Sequence, residues 1–152
     1  AIAIGLSYII GVLWPFGLGS PELLARTDVG MDSLALALAS GAAAALSLTT
    51  GLPSVLVGVM VAVALLPPAA AVGLTLGHWR VDLAMGAALL LAANIVCVNL
   101  AAKLVFLVKG IQPRTWAEKT KAKRAMRIYI AVWIATLVLV ILAIVMRTQL
   151  AS

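Results

Sequence analysis

Two adjacent prolines, Pro67 and Pro68, sit inside an uncharged run from Thr49 to Gly77, and no other feature narrows the possible folds as much. A run this long and apolar places its surroundings in lipid or in the interior of a membrane protein. Neither proline carries a backbone N–H, and each ring meets the carbonyl one turn back. The residue before each proline is pushed out of the α region. The expectation is a membrane helix broken at Pro67 and Pro68, with neighbouring protein or a water-filled cavity satisfying the freed groups. Broken helices of this kind often line solute sites in transporters. The alternative is a helix that only kinks there.

Composition sets the solvent. Of 152 residues, 64% are hydrophobic and 11% charged, with a mean hydropathy of +1.19. Soluble domains carry roughly a quarter charged residues. The chain therefore reads as an integral membrane protein, all-α, a polytopic bundle of about five segments near 1–13, 33–48, 55–77, 81–108 and 128–146. The fourth runs roughly 42 Å at helical rise, longer than the hydrocarbon core, so it is expected to tilt or protrude.

The net charge of +6 is concentrated rather than spread. Seven of the eleven basic residues, Lys109, Arg114, Lys119, Lys121, Lys123, Arg124 and Arg127, fall between the last two apolar runs. That is the pattern of a cytoplasmic link beside anionic lipid in the plasma (inner) membrane, not of a nucleic-acid surface. Lys103 is placed to snorkel toward the same side. Thr115 with Glu118 three residues on is a capping box, so a helix is expected to start there and run into the last span. The chain divides accordingly into a membrane domain 1–110, a basic link 111–127 and a final helix 128–152. It opens on Ala inside an apolar run, with no charged flank or cleavage site, so this run is not expected to be a signal peptide. It reads as the later part of a longer protein.

Small residues recur at helical spacing. Ala35, Ala39 and Ala43 form one ridge, with Ser40 and Ala44 beside it; Gly58 precedes the prolines, and Gly73 and Gly77 follow them. Such ridges let helix backbones approach closely in lipid. They place the second span centrally in the bundle and raise the expectation of a homo-oligomer.

Catalysis has little to work with, and the chain is not expected to be an enzyme. No nucleophile, base and orienting group stand out together. His78 is the sole histidine and Cys97 the sole cysteine, so no disulfide, metal site or cofactor is expected. Asp32 and Asp82 lie at span ends, placed to cap helices or to pair with Arg26 or Arg80. The deep polar residues are Asn94 and Asn99 on the fourth span. Asn94 is open to two readings: an ordinary interhelical hydrogen bond, or a cap on carbonyls freed at the Pro67–Pro68 break with access to a solute. A helix restarting after Pro68 would aim its positive dipole end inward and favour an anion or a polar neutral solute. Pro67, Pro68, Asn94 and Asn99 are thus the solute-path candidates.

The stretch from Gly58 to Leu74, GVMVAVALLPPAAAVGL, resembles the hallmark of the "uncharacterised hydrophobic domain" family of bacterial and archaeal membrane proteins, a domain of unknown function. Three further pieces agree in order: Glu22 to Thr27, Ala37 to Ala44, and Leu89 to Ile95 followed by Val105, Phe106, Lys109 and Gly110. The resemblance implies the later half of a membrane domain whose earlier half has a related proline motif. It implies an architecture and names no substrate. Two function classes remain: a transporter or channel-like protein for a small polar or anionic solute, and a membrane-embedded structural or sensory anchor coupling to another domain.

Overall fold

The structure, a computed structural model, describes residues 2–14, 21–25, 31–110 and 116–151. Six helices follow in order: α1 (Ile2–Leu13), α2 (Pro21–Ala25), α3 (Met31–Thr49), α4 (Ser54–Gly77), α5 (Val81–Val108) and α6 (Trp116–Ala151). No strand occurs among the described residues. Four of the helices, α3 to α6, are long and apolar enough to cross a membrane, whereas α1 is a shorter apolar helix of 12 residues. The capping box at Thr115 lies outside the described residues. The helix that follows runs unbroken from Trp116 through the last span.

Local chemistry explains where the helices stop. After α3, Gly51 adopts φ 77° and the Leu52 N–H donates to the Ser47 carbonyl at 3.0 Å, closing the helix end with a left-handed residue. Pro53 then supplies the extended residue from which α4 starts (φ −55°, ψ 136°). The α4–α5 corner uses the same device without glycine. Trp79 takes φ 59°, and the Arg80 N–H reaches back to the Thr75 carbonyl at 3.0 Å. A left-handed conformation costs a side-chain-bearing residue about 1–2 kcal/mol. Asp82, in the first turn of α5, accepts both Nε and Nη2 of Arg80 at 3.1 and 3.0 Å. That exposed pair holds the corner, the role expected of these residues at a span end.

The centre of the bundle is α5, not α3. Along α5, Ala84, Gly86, Ala87, Leu90, Ala93, Asn94, Val96, Cys97, Val98 and Ala101 are buried. Helices α3 and α4 pack on α5 and on each other, α1 packs on α4, and α6 on α5. Only small residues permit the tightest of these crossings. A Cβ added to Gly41 of α3 would sit 2.5 Å from the Val98 carbonyl oxygen of α5. Added to Gly77 of α4, it would sit 2.7 Å from the Tyr8 carbonyl oxygen of α1.

The expected break at Pro67 and Pro68 does not occur: α4 is one helix from Ser54 to Gly77 with both prolines inside it. The physical reason is the cost of the alternative. Interrupting the helix would leave several carbonyls and N–H groups without partners in apolar surroundings. Keeping it continuous deprives only two carbonyls, of Val63 and Ala64, of the N–H groups that the prolines lack. Pro68, fully buried against neighbouring helices, is held in place by packing.

Candidate functional site

The polar centre of the bundle is built on the Ala64 carbonyl. In an α-helix that oxygen accepts from the N–H of the residue four positions on, which here is Pro68 and has none. Asn94 of α5 supplies the donor instead: its Nδ2 donates to the Ala64 carbonyl oxygen at 2.9 Å. Asn94 is 4% exposed and Ala64 2%. The structure gives the first reading of Asn94, an interhelical hydrogen bond, with a carbonyl that Pro68 leaves without its usual donor as the acceptor. Its other amide atom, Oδ1, is buried without a partner among the described residues.

The walls around this point are small and apolar. Ala37 of α3, Ala64 of α4 and Cys97 and Val98 of α5 form one buried cluster, with Leu137 of α6 packed against it. One α4 turn from Ala64 lies Pro68, and one α5 turn back from Asn94 lies Leu90; both are fully buried. Further along the same antiparallel seam, Ala71 and Ala87 share a second buried cluster with Val72. The seam is thus lined by small apolar residues on both sides of the Ala64–Asn94 contact.

The other candidates are placed differently. Pro67 is half-buried. Asn99 donates Nδ2 to the Ile95 carbonyl of its own helix at 2.8 Å and does not join Asn94. Because α4 continues through Pro68, no helix N-terminus points into the protein there, and the electrostatic preference for an anion loses its basis. Among the packing residues, Gly73 and Gly77 lie against α1. A Cβ added to Gly58 would meet nothing within 4 Å. Ala35 and Ala39 are exposed and Ala43 half-buried; the face of α3 that packs carries Ala37, Ser40, Gly41, Ala44 and Ser47. Ser47 also reaches the Met60 sulfur at 3.5 Å.

Two further clusters carry chemistry. His78 closes α4, its ring Nδ1 2.9 Å from the Leu74 carbonyl oxygen, so Nδ1 carries the proton and donates. Lys103 Nζ lies 4.8 Å from the ring centre of Trp133 and 5.8 Å from that of Tyr129, tying α5 to α6 by cation–π contacts. Sequence reasoning placed Lys103 only to snorkel, and it passed over Gly11, Gly41 and Ala64. The signal for Ala64 was available, since a proline always orphans the carbonyl four residues before it. Among the described residues, no three His, Cys, Asp or Glu side chains gather to hold a metal ion.

Four long apolar helices around a largely apolar core define the chain as part of a multi-pass integral membrane protein. It belongs to the family described as "Domain of unknown function (DUF389)", whose profile matches residues 1–100. It is also 36% identical over 140 residues to "Uncharacterized protein MJ0678" of Methanocaldococcus jannaschii, covering 90% of this chain and 44% of that protein. The chain therefore spans less than half the length of that relative. No solved structure matches it significantly.

Proposed function

We propose that the chain is part of a transporter or channel-like protein for a small polar solute, and not an enzyme, with the Ala64–Asn94 contact as its gating point. The observation that supports this most is Asn94 itself. A buried amide at the middle of an apolar bundle is costly in lipid, and such polar groups serve solute paths as well as helix contacts. Its single bond to α4 is a contact that can open and close without dismantling either helix. The proline step leaves α4 short of two hydrogen bonds, and a helix so weakened is the natural place to flex. Pro67 and Pro68 are then the joint and Asn94 the latch.

The proposed placement is the plasma (inner) membrane with residues 109–127 in the cytoplasm, as the clustered lysines and arginines favour. The outward ridge of Ala35 and Ala39 supports self-association into a homo-oligomer. An impermeant thiol reagent added outside intact cells is expected to leave Thr120→Cys unlabelled; labelling there reverses the orientation.

A second reading, a structural or sensory anchor, has its own support. The alanines, Cys97 and Val98 fill the space around the proline step. Helix α6, at 36 residues, runs roughly 54 Å at helical rise and outreaches a hydrocarbon core of about 30 Å. A stalk of that length can carry motion between the membrane and a partner domain.

Proteoliposomes containing the native protein separate the two. Glycerol, urea, acetate and phosphate are offered in turn, with entry followed by stopped-flow light scattering. The transport reading expects at least one to enter faster than into empty vesicles, and Asn94→Leu to slow it while extracted protein yield is unchanged. An Asn94→Leu protein that expresses poorly yet transports normally counts against it.

A further inference from the structure

The Ala64 carbonyl can only accept, so the Asn94 amide has one orientation: Nδ2 toward α4 and Oδ1 away from it. Oδ1 is an acceptor on a side chain 4% exposed, and no described group donates to it. The Val63 carbonyl, robbed of its donor by Pro67, is a second acceptor on the same stretch of α4. The polar inventory of the step, after the one internal bond is made, consists of oxygens. Nearby side chains in the buried cluster are Ala37, Ala64, Cys97 and Val98, and none brings a strong donor or a cation. The nearest lysine along α5, Lys103, is engaged with Trp133 and Tyr129.

We propose that Asn94 Oδ1 is a binding position for a hydrogen-bond donor, so that the ligand taken here carries N–H or O–H groups and is neutral or cationic, never an acceptor-only anion. An unmade hydrogen bond on a buried acceptor carries its full desolvation penalty, and a small donor removes it. An anion placed at the same spot meets a second negative partial charge and no donor to offset it. The identity of the donor's carrier rests on the transport reading; the need for a donor rests on the orphaned oxygen alone.

Two measurements on the native protein in bilayers keep those apart. In proteoliposomes, urea and methylammonium serve as N–H donors and nitrate and acetate as acceptor-only anions. Entry of a donor solute is expected to fall about five- to tenfold in Asn94→Leu, the loss of one hydrogen bond. Anion entry that depends on Asn94, with both donors excluded, overturns the inference and leaves transport standing. The second measurement is proton-detected solid-state NMR of protein labelled with 13C at asparagine side-chain carbonyls, the Asn94 signal assigned by its loss in Asn94→Leu. Contact with an exchangeable proton other than the amide's own Nδ2 protons is expected, lost in D2O if the donor is water and appearing only with urea or methylammonium if it is solute. If that contact is found but nothing crosses, the transport reading alone fails. An Asn94 carbonyl with no exchangeable-proton contact beyond its own Nδ2 protons under any of these conditions overturns the inference.

Discussion

The two halves of α4 hold their neighbours by opposite means. Beyond the prolines, Gly73 and Gly77 let α1 lie backbone to backbone against α4, a contact made mainly of shape. Before them, Ala64 meets α5 through a hydrogen bond that exists because Pro68 cannot make its own. The first seam packs glycine backbone against backbone, with Ser7 and the His78 ring beside it, and has little room to move. The second has one bond, one orphaned acceptor and a helix locally short of internal support. In lipid, where apolar surface drives no association between helices, close packing makes a seam permanent and a lone polar contact makes it switchable.

The largest effect is expected at the glycine seam. A side chain at position 73 would sit on the Ile4 carbonyl oxygen and the Tyr8 amide of α1. Gly73→Leu should cost about 3 kcal/mol or more, because backbone cannot yield as a side chain can. The readout is loss of monodisperse protein after detergent extraction, and normal yield and melting would break the comparison. Asn94→Leu should be milder, about 1–2 kcal/mol in unfolding by SDS titration, since it orphans one buried carbonyl. Trp133→Leu, which removes the nearer ring from Lys103, should cost about 0.5–2 kcal/mol and loosen α6 rather than the core, seen as faster hydrogen exchange in residues 128–146. Gly58→Ala is the control. With open space around it, the substitution should be neutral or stabilise by about 0.4–1 kcal/mol, and destabilisation would mean a partner helix covers that face.

Much of this architecture is legible from hydropathy and punctuation. The bounds of α5 coincide with the expected 81–108, and the apolar runs place α3 and α4 within two residues, whereas α6 begins at Trp116, well before its apolar run. Hydropathy works because lipid demands satisfied backbone, which leaves few choices. Two things resist reading. The continuity of α4 depends on a competition between the proline's local clash and the wider cost of opening a helix in apolar surroundings, and only the first is written in the local residues. The packing face of α3 is hidden by its own composition. With alanine at 35, 37, 39, 42, 43, 44 and 45, every four-residue ridge looks suitable, and the close approach of Gly41 to Val98 decides among them. The Ala64–Asn94 pair lies between these cases. Its acceptor follows from Pro68 by counting four residues back, whereas its donor, thirty residues on, needs the fold.

A double-mutant cycle between Asn94 and Pro68 tests the claim at the centre of this account. Pro68→Ala restores an N–H to serve the Ala64 carbonyl, so the Asn94 amide becomes redundant for that bond. In SDS unfolding, Asn94→Leu should then cost less in the Pro68→Ala background than in the native protein, with a coupling of about 0.5–2 kcal/mol. Equal costs in the two backgrounds would mean that Asn94 does not stand in for the hydrogen bond the proline removed.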